Sequence, residues 1–301
     1  MKKFPLPKLL PVLLCGIIFF TANAQKLPNV QQVSLRAPAD LKIDGKTAEW
    51  NNQFQAYNTH TDFYYTMAND DKNLYVVIQA TDPAIIRRIV NGGLTLTVNE
   101  SGQKRNKDAM SITYPVFEKN NRFRPNLGRV SVAAAFSRIS AASSMSGSGV
   151  TVIEDIRDDN TMNVRGTAAK SPPVNTDSLA IVNNNNMADK AKYIRVNGIK
   201  DVDSLISVYN ADGIKAAASF DNKLAYTCEL AIALKQLNLP VSSPVKFAYQ
   251  LMINEVVVRG VTTYTYDQAG KMTGMRYVKT DVGMAGQLAT DFWGEYTLAK
   301  K

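Results

Sequence analysis

Apolar and polar side chains alternate with a period of two in one segment of the chain after another. Phe63, Tyr65 and Met67 alternate with Tyr64, Thr66 and Ala68, and Leu74, Val76, Ile78 and Ala80 with Tyr75, Val77 and Gln79. Leu94, Leu96 and Val98 alternate with Thr95 and Thr97, and the same rhythm runs through Met110-Ile112-Tyr114, Ile214-Ala216-Ala218-Phe220 and Phe247-Tyr249-Leu251-Ile253. This period marks strands with one face on a core and the other toward solvent. Between them lie Asn69-Asp70-Asp71-Lys72-Asn73, Asn91-Gly92-Gly93, Asn210-Ala211-Asp212-Gly213 and Asp221-Asn222, whose residues favour turns. Asp212-Gly213 between apolar flanks reads as a hairpin turn. Many short strands and few helical patterns predict an all-β, two-sheet antiparallel sandwich.

Helix is scarce in this reading. Ala231 to Leu237 is predicted to form a turn or two after its strand, closed by Pro240. Arg129 to Met145 fits two patterns: Val130, Val132, Ala134 and Phe136 alternate, yet the alanines and Ile139 suit a helix. Residues 100–108, residues 140–176 and the run Asn183 to Asn186 read as loops or insertions. Residues 256–290 are a further insertion, with a hairpin of Thr262–Tyr266 against Met275–Lys279 turning at Gln268-Ala269-Gly270-Lys271. Insertions of this length in a compact domain are usually functional or disordered. No internal repeat is visible.

The N-terminus has another pattern. Lys2, Lys3 and Lys8 precede the apolar run Leu9–Phe20, which Pro11 interrupts and which is too short for a membrane span of about 20 residues. Ala22-Asn23-Ala24 places small residues where a signal peptidase reads them, so residues 1–24 are expected to be a signal peptide and 25–301 a single domain. The exported chain is expected in the periplasm, at the cell surface or outside the cell, with no transmembrane span after processing. Cys15 follows Leu14 and is followed by more of the apolar run, which argues against lipidation. Processing would leave Cys228 alone, so an intramolecular disulfide is excluded in the mature chain. Alternation puts Cys228 on a face with Leu224, Tyr226, Leu230 and Ile232, as a buried and inert thiol.

Five segments, in order, resemble family nine carbohydrate-binding modules. Ile43-Asp44-Gly45-Lys46 with Glu49-Trp50 resembles the family's opening D-G-x-x-x-E-W, and Asn69 to Val76 its D-x-x-N-L-Y-V run, followed by Asp82-Pro83. Glu229-Leu230-Ala231-Ile232 resembles the E-x-A-I strand, Phe247 to Asn254 the strand after it, and Phe292 to Leu298 the closing F-G-x-x-x-L strand. The resemblance implies a jelly-roll-like sandwich of the wider DOMON-like group, binding glycan or serving as an accessory to carbohydrate catabolism. The chain also departs from the family. The paired tryptophans that clamp a terminal sugar are missing: Arg88-Ile89-Val90 precedes the Leu94–Val98 strand, and Ala285-Gly286-Gln287 stands upstream of the closing one. Trp293 falls where the family has a core phenylalanine.

Sugar recognition needs a flat aromatic face and polar groups for hydroxyls. The candidate ligand-binding residues are Trp50, Tyr64, Tyr264, Tyr266, Tyr277 and Trp293, although core packing competes for both tryptophans and cross-strand pairing for the hairpin tyrosines. Tyr64 and Tyr65 must split across the two faces of their strand. No cofactor is expected. The single histidine, His60, reads as a solvated loop residue rather than a haem ligand, even with Met67 near it. Glu154, Asp158, Asp159 and Asn160 carry the hard oxygens that calcium prefers but lack an EF-loop's spacing, so a solvated loop is favoured.

No catalytic motif is present: there is no H-E-x-x-H, no G-x-S-x-G elbow and no P-loop. The expected function is therefore non-catalytic, with a polysaccharide or oligosaccharide as partner. The alternative is an envelope structural or interaction protein that kept the fold and lost the sugar clamp. Protein partners are not legible. The formal charge of +9 falls to +6 once Lys2, Lys3 and Lys8 leave with the signal peptide. The remaining basic residues form only small clusters, Arg87-Arg88, Lys104-Arg105-Lys107 and Arg122/Arg124, without a nucleic-acid motif.

Overall fold

The computed structural model describes residues 26–104, 109–118, 121, 123–128, 151–155, 175–240, 246–256, 261–266, 272–278 and 288–300. The expected signal peptide, Asp158–Asn160 and Arg129–Met145 lie outside these residues, as does the turn at Gln268–Lys271. The chain forms an all-β sandwich. Its first sheet has the order β1 (Ala56–Asn58), β2 (Phe63–Asn69), β3 (Asn73–Ala80), β10 (Tyr226–Ala233), β9 (Ile214–Phe220). The second runs β14 (Thr290–Thr297), β11 (Lys246–Ile253), β4 (Leu94–Asn99), β5 (Met110–Val116), β7 (Tyr193–Asn197), β8 (Leu205–Ser207). A smaller sheet pairs β12 (Val261–Tyr266) with β13 (Met272–Val278) and β6 (Thr151–Asp155). The late hairpin forms, but with its second strand at Met272–Val278 rather than Met275–Lys279, and β6, which carries Glu154, is a strand inside the stretch 140–176 expected as a loop. All the ladders named here are antiparallel.

The core lies between the two large sheets, built from the apolar half of each alternation. Met67, Val76 and Leu230 share one rung of the first sheet, and Phe292, Leu251, Leu96, Ile112 and Val196 one rung of the second. All are buried. Cys228 sits in this core, paired with Ile78 and Ala218. Burial pushes its thiol far up from the ordinary value, so it is not a nucleophile. The sheets also meet through a polar contact: the Tyr65 and Tyr249 hydroxyls are 2.9 Å apart, and the Gln31 backbone N–H donates to the Tyr65 oxygen at 2.8 Å. Buried tyrosines need such a partner.

Three elements depart from the alternation. Helix α1 (Pro83–Gly92) begins where the Asp82 side chain accepts from the Ala84 and Ile85 N–H groups, with Pro83 in the first turn. It buries Ile86, Ile89 and Val90 on one face. Helix α2 (Thr176–Lys190) contains the asparagine run expected as a loop. Two of those amides replace backbone partners. Asn183 exchanges two hydrogen bonds with the Asn126 main chain, both 2.9 Å, and Asn184 does the same with Phe220 of edge strand β9, at 2.7 and 2.9 Å. Asp212-Gly213 does not close a hairpin, because β8 belongs to the second sheet and β9 to the first. Gly213, at φ +77°, instead turns the chain from one sheet to the other. The short helix after β10 forms, as a 3₁₀ turn over Leu234–Leu237.

The outer face of the first sheet is covered by the N-terminal segment. Trp50, Ala68, Tyr75, Val77 and Ala231 form a second apolar cluster, with Leu35, Ala37, Leu41, Ile43 and Phe54 packed against it. Glu229 sits under this cover, only 1% exposed. One of its carboxylate oxygens accepts from the Trp50 indole N–H at 2.8 Å, the other from the Gly45 and Asp44 backbone N–H groups at 2.8 and 3.0 Å. Gly45 is required at φ +79°, where a Cβ would lie 2.5 Å from the Ser219 nitrogen. Burial raises Glu229 above the ordinary carboxylate value of 4.5, while the three donors pull it back. The same segment meets the C-terminus at buried Asn69. The Asn69 main chain bonds Leu35 and Ala37, and its side chain bonds the Ala299 N–H and C=O.

Glu229→Gln leaves a single carbonyl oxygen for three donors, so it should cost about 1–3 kcal/mol in denaturant unfolding. A raised folded-state value means that the folded protein holds the proton more tightly than the unfolded chain. The stability advantage of Glu229 over Gln should therefore be largest below pH 4.5 and shrink as pH rises through the folded value. Unfolding midpoints of the two proteins across a pH series check this, and an advantage that grows with pH would contradict it.

Candidate functional site

Cover on the first sheet decides what Trp50 does. Its ring is 8% exposed inside the second apolar cluster and its indole N–H is taken by Glu229, so it offers no face to a sugar. Tyr64 and Tyr65 split across β2 as expected, with Tyr65 in the core and Tyr64 half-buried outside. Tyr64 is enclosed by other rings: its centroid is 4.7 Å from that of Tyr57 and 5.7 Å from that of Phe54. The Tyr57 hydroxyl donates to Asp62, a bond that together with desolvation pushes Tyr57 up to about 12. Tyr64 belongs to an aromatic cluster at the sheet edge rather than a free platform.

The second sheet presents the other outer face. Its register lines up Trp293, Gln250, Thr97, Ser111 and Asn197 on five adjacent strands, directly beside the buried rung from Phe292 to Val196. Trp293 is therefore not a core residue. Phe292 holds that position, packed near Phe63, Tyr65 and Tyr249, and Trp293 is half-buried on the outer side. The one-residue difference matters because neighbours in a strand point to opposite faces. Gly294, next along, is needed where it is: a Cβ there would lie 2.3 Å from the Tyr249 ring.

Trp293 lines a groove of about 440 Å³ between β14 and the N-terminal residues 30–34. Ligand clefts commonly have volumes of this order. Glu295, Lys246, Lys104, Gln32 and Ser34 supply polar groups around it. Lys246 pairs with Glu295 at 3.2 Å, whereas Lys104 makes no ion pair or hydrogen bond among the described residues. Beyond Trp293 the sheet continues with amides and hydroxyls. The Gln250 amide donates to Asp291 at 2.6 Å, and the Asn197 amide to the Ser111 hydroxyl at 3.3 Å. The arrangement can stack one flat ring and hydrogen-bond several hydroxyls.

The other candidates fall elsewhere. Tyr264 and Tyr266 lie on β12 and Tyr277 on β13, with Tyr277 opposite Thr262, and their side chains lie outside the described residues. His60 is exposed in the turn after β1, its backbone N–H bonded to Asn58. Asp70 accepts from the Lys72 and Asn73 N–H groups, both 2.6 Å, which makes it a turn residue. Among the described residues no group of three or more His, Cys, Asp and Glu side chains is placed to hold a metal ion. No helix among them is long and apolar enough to cross a membrane. Sequence reasoning missed Gln250, Thr97, Ser111 and Asn197. The first three occupy the polar half of the alternation, but only strand pairing shows that they form one line.

Gly294→Ala should destabilise the protein by about 1–3 kcal/mol through overpacking against Tyr249. Trp293→Ala, one residue away on the outer face, should stay within about 1 kcal/mol of the parent. Paired denaturation curves check the contrast, and equal losses would place Trp293 in the core after all. No protein-family model matches the chain, and comparison with curated proteins and with solved structures returned no match.

Proposed function

We propose that this is an exported, non-catalytic sandwich that binds glycan, with Trp293 as the stacking surface, in the manner of the carbohydrate-binding modules its sequence resembles. The observation that carries this reading is the pairing of Trp293 with a polar groove and a hydrogen-bonding sheet face. A half-buried ring packs against the apolar C–H side of a sugar, and the surrounding amides, hydroxyls and lysines bond its edge groups. The family's two-tryptophan clamp has no counterpart here, so the ligand is held by one ring and an extended polar surface. An accessory role in carbohydrate catabolism, at the cell surface or in the periplasm, follows from that binding and from the N-terminal signal.

A second reading, an envelope interaction protein, draws on exposed apolar residues of α2: Ile181 is 62% and Val182 52% exposed. Large exposed apolar patches mark protein contacts.

A glycan-array screen of the purified protein and its Trp293→Ala and Tyr64→Ala variants tests the glycan reading. Retention of at least one polysaccharide should fall about tenfold or more in Trp293→Ala and little in Tyr64→Ala. No retention of any poly- or oligosaccharide would overturn carbohydrate binding and leave the interaction reading.

A further inference from the structure

The outer row of the second sheet constrains the shape of the ligand as well as its chemistry. Trp293, Gln250, Thr97, Ser111 and Asn197 are direct cross-strand partners, one from each of β14, β11, β4, β5 and β7. Adjacent strands are about 4.8 Å apart, so the line spans about 19 Å across the sheet. That is several times the reach of a single sugar ring. The row next to it behaves differently. Thr95 and Thr113 are 6% and 5% exposed, their hydroxyls bonded to each other at 2.7 Å and, through Thr95, to Asn254 at 2.9 Å. These hydroxyls are already satisfied and closed to solvent.

The Trp293 row retains free capacity. The Thr97 side chain makes no hydrogen bond among the described residues, and its hydroxyl is not sealed from solvent. Asn197 is exposed at the far end and Trp293 half-buried at the near end. A solvated face would need only polar residues, in any order. This one has its single large aromatic side chain on edge strand β14, where the row meets the groove lined by residues 293–297 and 30–34.

We propose that the site takes an extended, linear oligosaccharide lying across the strands, stacked at one end on Trp293 and hydrogen-bonded along its length by Gln250, Thr97, Ser111 and Asn197. This inference rests on the glycan reading above and specifies its ligand as an internal stretch of chain rather than a terminal sugar. Strands in a sheet rotate by about 20° from one to the next, so the bound chain follows a gently twisted path.

Calorimetric titration of the full chain with cello-, xylo- and manno-oligosaccharides and with oligogalacturonides, from disaccharide to hexasaccharide, tests it. In at least one series affinity should rise about tenfold or more between disaccharide and tetrasaccharide and then level off. The double variant Ser111→Ala/Asn197→Ala should lose that gain while binding the disaccharide as before, and Trp293→Ala should weaken both lengths. Thermal melts of the variants show whether each is folded. Equal affinity for disaccharide and tetrasaccharide, or a length gain that survives the double variant, overturns the linear-chain inference and leaves glycan binding intact. Failure of every series to bind overturns both.

Discussion

The Glu229 carboxylate is the point on which the two faces of this sandwich come to differ. A charged residue in the middle of a central strand would ordinarily face water. Here both oxygens are occupied by donors from Asp44, Gly45 and Trp50. A buried carboxylate left without those donors would be very costly, so the N-terminal segment and β10 depend on each other. Once the segment is fixed, Trp50 and its apolar neighbours cover the first sheet. Among the described residues, the second sheet is the one with a half-buried tryptophan beside polar side chains on its outer face.

This arrangement gives a physical account of the segments that resemble carbohydrate-binding modules. Asp44-Gly45, Trp50 and Glu229 are far apart in sequence yet form one hydrogen-bonded unit, and Gly45 is the only residue type that fits against Ser219. Their chemistry is structural. Of the polar row on the second sheet, Trp293 and Gln250 lie within the resembling segments, whereas Thr97, Ser111 and Asn197 lie outside them.

The strands were legible because alternation is a local property. Each of the six segments read from it is a strand, with the expected face inward. The helices were less so. Asp82-Pro83 ahead of Ile85, Ile86, Ile89 and Val90 is a helix start, but α1 has only ten residues between two strands, too short for its period of about 3.6 residues to stand out. In α2 four consecutive asparagines disfavour helix by propensity, and tertiary bonds to Asn126 and Phe220 override that preference. The site was the hardest part. Trp293 was visible but one residue out of phase, and the line of polar partners depends on strand order, which no local pattern encodes.

The pairing of Asn184 with Phe220 has a consequence for solubility. Strand β9 is the open edge of its sheet, and an open edge offers unpaired N–H and C=O groups on which a strand of another molecule can grow. At Phe220 both groups are already held by a side chain of the same molecule. A stretch of sequence that looks like low-complexity filler thus occupies edge groups on which fibres could otherwise grow.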